Sequence, residues 1–346
     1  MSGGVTAEHL RALPKTDLHV HLDGSLRPAT MLDLADDLGV RLPAASAPAL
    51  AEHMHVRQGR DLVDYLARFE ITLQLMQTPA ALERIAYELA ADAAAENVRY
   101  MEVRWSPLLN ARGGLSLEEA LEAPLRGLRR AERDFSIRTA AVICGLRHLE
   151  PMENVRLAEL AAAYRDRGVV AFDLAGAEHG YPPTDHIAAF DVAADAHLAI
   201  TIHAGEAYGP PSIHEAIHRC HARRIGHGTR LHEDPALMRF VNDHRIPLEI
   251  CLTSNVQTRA VAALRDHPLR LYYDQGLVVT LNTDNRLMSG TTVTQEYVRA
   301  HEQLGLSWTA LTEIALDGFR SAFLPHEERV ALVAEVEAEI TRLAAV

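Results

Sequence analysis

Lysine is nearly missing from this chain of 346 residues: of its 34 basic residues only Lys15 is a lysine, and the rest are arginine. A phosphate-binding loop of the G-x-x-x-x-G-K-[ST] type needs a lysine after glycine, and Lys15 follows Pro14, which excludes that loop. Schiff-base chemistry would have to run through Lys15 or not at all. Cysteine is scarce too. Cys144, Cys220 and Cys251 are far apart, odd in number and without a C-x-x-C pair, which argues against a disulfide framework and a thiolate zinc site. No apolar run approaches the roughly 18 residues of a membrane helix, and Met1 to Leu10 lacks the basic-then-apolar pattern of a secretory signal. No membrane partner is therefore expected, and a reducing cytoplasm is the expected location. Basic residues form nothing beyond short pairs, while 47 acidic residues set the formal net charge at −13. Phosphate contacts dominate nucleic-acid affinity, so no nucleic-acid partner is expected.

What is present is a large apolar complement, 48% of residues, ample for a sizeable core. Short apolar runs alternate with longer helical patterns, the signature of a parallel α/β architecture. Strands are expected at Thr16–His21, Val98–Trp105, Ile137–Cys144, Val169–Leu174, Leu198–His203, Arg224–His227, Pro247–Leu252 and Leu277–Asn282. Between them, helices are expected at Leu26–Leu38, Leu62–Gln77, Pro79–Glu96, Leu117–Asp134, Val155–Arg167, Ile187–Ala196, Ile213–His221 and Pro235–His244. About eight strand–helix units point to a TIM (β/α)₈ barrel, with a doubly wound open sheet as the alternative. Val40–Asp61, rich in Ala, Pro and His, reads as an insertion that opens a helical region after the first strand. Three further helices are expected after Asn285, at Val293–Gln303, Thr309–Ala322 and Glu327–Leu343. A single domain spanning 1–346 is the expected organisation.

The densest chemistry lies in Asp17-Leu18-His19-Val20-His21. Side chains alternate along a strand, so His19 and His21 share one face and can share one metal ion. A chance H-x-H is common among 19 histidines, and His53-Met54-His55 is one, without a flanking strand. Other expected strand ends carry His203, His227 (between two glycines) and Asp284. In a barrel the C-terminal strand ends converge on one mouth, where active sites form. Imidazole with carboxylate favours zinc, though iron and manganese suit the same set. A binuclear centre commonly uses a carboxylated lysine from the fourth strand, and Val169–Gly176 has none, so one metal per chain is expected. Glu206, three residues past His203 across Gly205, is placed for proton transfer; an acid favoured at a helix N-terminus is the plainer alternative.

Taken together, Asp17-Leu18-His19-Val20-His21-Leu22-Asp23-Gly24, Leu174-Ala175-Gly176, His203-Ala204-Gly205-Glu206, Ile225-Gly226-His227-Gly228 and Leu281-Asn282-Thr283-Asp284 resemble the adenosine deaminases of the metal-dependent amidohydrolase superfamily. The similarity runs from about Leu13 to Leu324. It implies a (β/α)₈ barrel and zinc-dependent hydrolytic deamination of adenosine or 2′-deoxyadenosine to inosine or 2′-deoxyinosine and ammonia. By this resemblance His19, His21, His203 and Asp284 are the zinc ligands. Glu206, His227 and Asp284 form the catalytic set: Glu206 donates a proton to purine N1, and His227 orients the zinc-bound water, whose pKa zinc lowers from ~15.7 toward ~7. The substrate contacts are His21, the ribose 5′-hydroxyl partner Asp23, the backbone N–H of Gly176 toward N3, and Asn285 toward N7. The partner implied is a small purine nucleoside; an oligomeric partner is not indicated.

Two departures stand out. Asn285 replaces a usual second aspartate, and an amide donates to N7 without first being protonated. Ala177-Glu178 replaces a usual Asp-Glu pair. Deamination of 6-aminodeoxyfutalosine or free adenine remains as an alternative, against which Asp23 argues because neither substrate offers a ribose 5′-hydroxyl. A non-catalytic nucleoside-binding barrel has little need of Glu206 beside a metal, and a binuclear esterase or phosphatase would bind two metals. Val40–Gln77 is expected to form a lid.

Overall fold

Eight parallel strands form one sheet in strict chain order: β1 (Lys15–His21), β2 (Val98–Trp105), β3 (Arg138–Leu146), β4 (Val169–Ala175), β5 (Ala199–Ala204), β6 (Arg224–His227), β7 (Leu248–Ile250) and β8 (Val279–Leu281). The computed structural model describes residues 5–56 and 68–344. Each strand pairs with the next, and the sheet curls until β8 meets β1. That last seam is made by side chains as much as by backbone. Val20 and Asp284 form an isolated parallel bridge, with the His21 N–H donating to the Asp284 carbonyl at 2.7 Å and the Asp284 N–H to that of His19 at 2.8 Å. One step below, Asn282 Oδ1 accepts from the Leu18 N–H at 2.8 Å, doing with an amide what a ninth rung would do. The result is the expected (β/α)₈ barrel rather than an open sheet.

Helices cover the outside, as parallel strands require, because both faces of such a sheet must be buried. Several begin earlier or later than hydrophobic periodicity indicated, and proline explains where. Helices Pro28–Leu38, Pro151–Ala163 and Pro210–His218 each start on a proline, whose fixed φ and missing N–H suit the first helical position; the helices that open on Pro79 and Pro235 begin where expected. Pieces of one or two turns, such as Ala7–Ala12, Leu252–Gln257, Leu269–Asp274 and Arg286–Ser289, are too short to show a 3.6-residue period. The helix Leu252–Gln257 also cuts β7 short of its expected end at Leu252. The C-terminal helices form at Val293–Leu304, Trp308–Ser321 and His326–Ala344.

Part of the expected insertion and of the helix Leu62–Gln77 falls on 57–67, outside the described residues, and so does the middle of the expected lid. Flanking it are Ala47–Met54 and Phe69–Leu75, both helical. Among the described residues no helix is long and apolar enough to cross a membrane.

Lys15 sits at the foot of β1 and is fully buried. Its Nζ donates to the carbonyls of Leu10 at 2.8 Å, Arg11 at 3.0 Å and Leu13 at 2.6 Å, tying the helix Ala7–Ala12 to the barrel floor. Burial pushes its pKa down to about 7. His21 lies six residues further along the strand, about 20 Å away at ~3.3 Å per residue. Lys15 is structural, at the end of the barrel opposite the histidines.

Candidate active site

The C-terminal strand ends gather the residues that the sequence singled out. β1 supplies His19 and His21, β5 His203, and the segment just past β8 Asp284. One side-chain donor from each of these four lies within 4.8 Å of the other three. His21 Nε2 is 3.1 Å from His203 Nε2, and both His19 Nε2 and His21 Nε2 are 3.4 Å from Asp284 Oδ1.

The tautomers are set from behind. His19 Nδ1–H donates to Glu249 Oε2 at 2.9 Å, and His203 Nδ1–H to Asp173, 3.1 Å from Oδ1. Carboxylate acceptors on Nδ1 leave Nε2 as a bare lone pair on each ring, the arrangement that orients metal-ligating histidines. His19 Nε2 is buried with no hydrogen-bond partner. An unsatisfied buried lone pair is costly, and a cation is a partner that this one fits. Three imidazole nitrogens and one carboxylate are a suitable donor set for one divalent metal. A second trio, His227, Cys251 and Asp284, shares the aspartate. Burial, then Asp284, holds the Cys251 thiol well above its ordinary pKa, so it stays protonated and is a poor second metal ligand.

Beneath the histidines lies a buried charge network. Arg104 on β2 donates to Asp173 at 3.0 Å, to Glu249 at 2.9 Å and to the Leu18 carbonyl at 2.6 Å. Arg224 on β6 donates to Glu249 at 2.7 Å and also pairs with Glu102. Thr201 adds a bond to Glu249 at 2.8 Å. Burial alone would raise the Glu249 carboxyl, but Arg104 and Arg224 outweigh it and hold its pKa well below the usual range. Asp173 is likewise held down, by His203 and Arg104 against its burial. These residues escaped the motif reading. Their signal was a charge inside an otherwise apolar strand, as in Met101-Glu102-Val103-Arg104-Trp105 and Phe172-Asp173-Leu174, which a barrel interior tolerates only in pairs.

Glu206 and His227 stand beside the four-residue cluster, His227 Nε2 3.6 Å from Glu206 Oε2. Glu206 is not in a helix; it lies in the turn after β5, ahead of Pro210–His218. Gly205 makes that turn at φ +74°, and a Cβ there would come within 2.4 Å of Ile213 Cδ1. Glu178 clamps the turn, accepting from the N–H groups of Gly205 at 2.6 Å, Glu206 at 3.0 Å, Ala207 at 2.7 Å and Tyr208 at 2.9 Å. Thr258 donates to Glu206 Oε1 at 2.8 Å. Burial raises the Glu206 pKa despite the opposing influence of His227. Ser254 donates to Asp284 Oδ2 at 2.6 Å. His227 at φ +65° and Asp284 at φ +59° are left-handed, a conformation that costs non-glycine residues on the order of 1–3 kcal/mol and clusters at functional sites.

Above the cluster is a cavity of about 310 Å³ whose walls include His21, Asp23, Gly176, Glu206, His227 and Asn285. Its size suits a small ligand. A larger cavity, about 750 Å³, contains none of these residues; the titratable groups converge on the smaller one. Burial pushes the Asp23 carboxyl up to about 7. Of the H-x-H pair outside the strands, His55 borders the larger cavity, and neither His53 nor His55 belongs to the cluster.

A (β/α)₈ barrel with three histidines, one aspartate and a buried glutamate at its mouth defines an amidohydrolase-type enzyme. Residues 14–339 match the family model described as adenosine deaminase. The chain belongs to the adenosine deaminase family. It is 44% identical to the adenosine deaminase of Mycobacterium sp. (strain JLS), with 97% of each chain covered. Among solved structures, the adenine deaminase from Arthrobacter aurescens superposes with a TM-score of 0.89 at 28% identity, covering 96% of this chain and 100% of that one. An amidohydrolase from Burkholderia ambifaria with bound Zn gives 0.88 at 26%, covering 100% and 96%.

Proposed function

We propose that this chain is a zinc-dependent adenosine deaminase that converts adenosine and 2′-deoxyadenosine to inosine and 2′-deoxyinosine with release of ammonia. The observation that carries this is the pairing of Glu206, a buried carboxyl with a raised pKa, with His227 beside the four-donor cluster. His19, His21, His203 and Asp284 would hold the metal. Zinc, as in the Burkholderia ambifaria relative, would supply Lewis acidity, which brings the pKa of a coordinated water from ~15.7 toward ~7.

The protein's own groups do the rest. Glu206 gives its proton to purine N1, which makes C6 electrophilic, and His227 orients the attacking water. As the C6–O bond forms and the C6–N bond breaks, one proton of that water leaves on ammonia and the other restores Glu206. Asp23 would meet the ribose 5′-hydroxyl, Gly176 would offer its N–H to N3, and the Asn285 amide would donate to N7. His21 would border the base as well as the metal.

The likeness to the Arthrobacter aurescens adenine deaminase supports free adenine as the second reading. A panel of adenosine, 2′-deoxyadenosine, adenine and 6-aminodeoxyfutalosine, followed by ultraviolet absorbance, separates them. Adenosine turnover with silence on adenine is expected; the reverse pattern sinks the assignment.

A further inference from the structure

Behind His227 a chain of hydrogen bonds runs away from the cavity and ends on a backbone N–H. The Leu269 N–H lies 3.0 Å from His267 Nδ1. A backbone N–H can only donate, so His267 Nδ1 is bare and its proton sits on Nε2. His267 Nε2 is 3.2 Å from Asn255 Oδ1, which accepts it. The same amide then presents Nδ2 to His227 Nδ1 at 3.0 Å. A donating amide requires a bare nitrogen opposite it, so the proton of neutral His227 is on Nε2, the atom facing Glu206. Asn255 is fully buried and His267 nearly so, and among the described residues the Asn255 amide and the His267 ring nitrogens make no other hydrogen bond than these. Burial and the neighbouring His227 and His232 push the His267 pKa down to about 3, which keeps that ring single-protonated. Reversing any link sets donor against donor at the next.

We infer that Asn255 and His267 are positioning residues that lock His227 as an Nε2–H donor toward the cavity, with the direction of the whole relay fixed by the Leu269 N–H. This deepens, and its catalytic consequence rests on, the assignment of His227 to the deamination site. A donor at Nε2 can hold the oxygen of the attacking water; the opposite tautomer would place a lone pair there. A wrong tautomer at a catalytic histidine costs up to about 10⁴ in kcat with the fold intact.

The test reads the tautomer directly. Zinc-loaded protein is labelled with ¹⁵N in its imidazoles, and the His227 signals are assigned by their loss in His227→Gln. Wild type is expected to show a bare Nδ1 and a protonated Nε2. Asn255→Asp places an acceptor against both histidines and is expected to move the His227 proton to Nδ1. It should lower kcat at least about tenfold with KM within about threefold, by the logic of mis-set tautomers. His267→Gln retains a donor toward Asn255 and should keep the wild-type signature, whereas His267→Phe should yield a mixture of tautomers. If Asn255→Asp does not fold, the His267 pair carries the same comparison. A His227 proton on Nδ1 in wild type overturns the inference, and so does an unchanged signature in the variants that fold, Asn255→Asp or His267→Phe. If the protein fails to deaminate adenosine, the proposed activity falls while the tautomer result stands by itself.

Discussion

Gly24 and Asn285 fill one another's space: a Cβ on Gly24 would lie 1.8 Å from Asn285 Oδ1. That oxygen is buried without a hydrogen-bond partner, so close contact with the glycine, not a hydrogen bond to the oxygen, helps to seat the amide. Gly24→Ala must therefore displace Asn285. We expect KM for adenosine to rise about tenfold, the worth of roughly one hydrogen bond, with metal content unchanged. Steady-state kinetics beside elemental analysis checks both.

Asn285→Asp should add a second pH dependence to that of the wild type. A carboxyl donates to N7 only while protonated, so the variant's kcat/KM relative to wild type should fall as pH rises from 5.5 to 8. A constant ratio across that range would remove Asn285 from the base contact.

Glu206→Gln is expected to keep fold and metal while lowering kcat by about 10² or more, the usual worth of a general acid. Burial raises the Glu206 pKa, so the proton is retained to higher pH than on an ordinary glutamate. The wild-type rate should decline as pH rises through that value. Near-normal deamination by the variant would refute the role.

Asp23 gives a stability prediction with the opposite sign to a salt-bridged carboxylate. Burial raises it from 3.8 to about 7, so the native state binds a proton that the unfolded chain releases. Stability is lost as pH climbs from about 4 to 7, and the full cost persists above that, with an upper bound of about 4 kcal/mol. Asp23→Asn in the metal-free protein should raise Tm at pH 8 and leave it unchanged near pH 3.5. KM for adenosine should rise while that for 5′-deoxyadenosine does not.

The histidines were legible because motif and strand coincide: His19 and His21 stand two apart on β1, His203 closes an apolar run, and His227 ends β6 between two glycines. Asp284 lies beyond β8, yet its chain position next to that run was enough. The groups behind them were hidden by distance in sequence. Glu249 reaches His19 from β7, and Asn255 reaches His227 from a two-turn helix that has no periodic signature. Backbone strain at His227 and Asp284 leaves no trace in composition at all. The starts at Pro28, Pro151 and Pro210 went astray because a proline, not an apolar face, set the boundary.

Glu249→Gln tests the concealed layer. It removes a charge facing two buried arginines and weakens the hold on His19. Metal affinity should drop about 10- to 100-fold, as for other partners of ligating histidines. Unfolding free energy should fall by about 3–5 kcal/mol, the cost of leaving buried charge uncompensated. Competitive chelator titration and urea melts measure the two separately.

The burial of Lys15 under three carbonyls has a practical outcome. With its amine sequestered in the barrel floor and no other lysine in the chain, the folded protein offers no free lysine side chain to acylating reagents, so dyes and biotin esters aimed at lysine amines should label these 346 residues at a lysine only once the barrel floor opens.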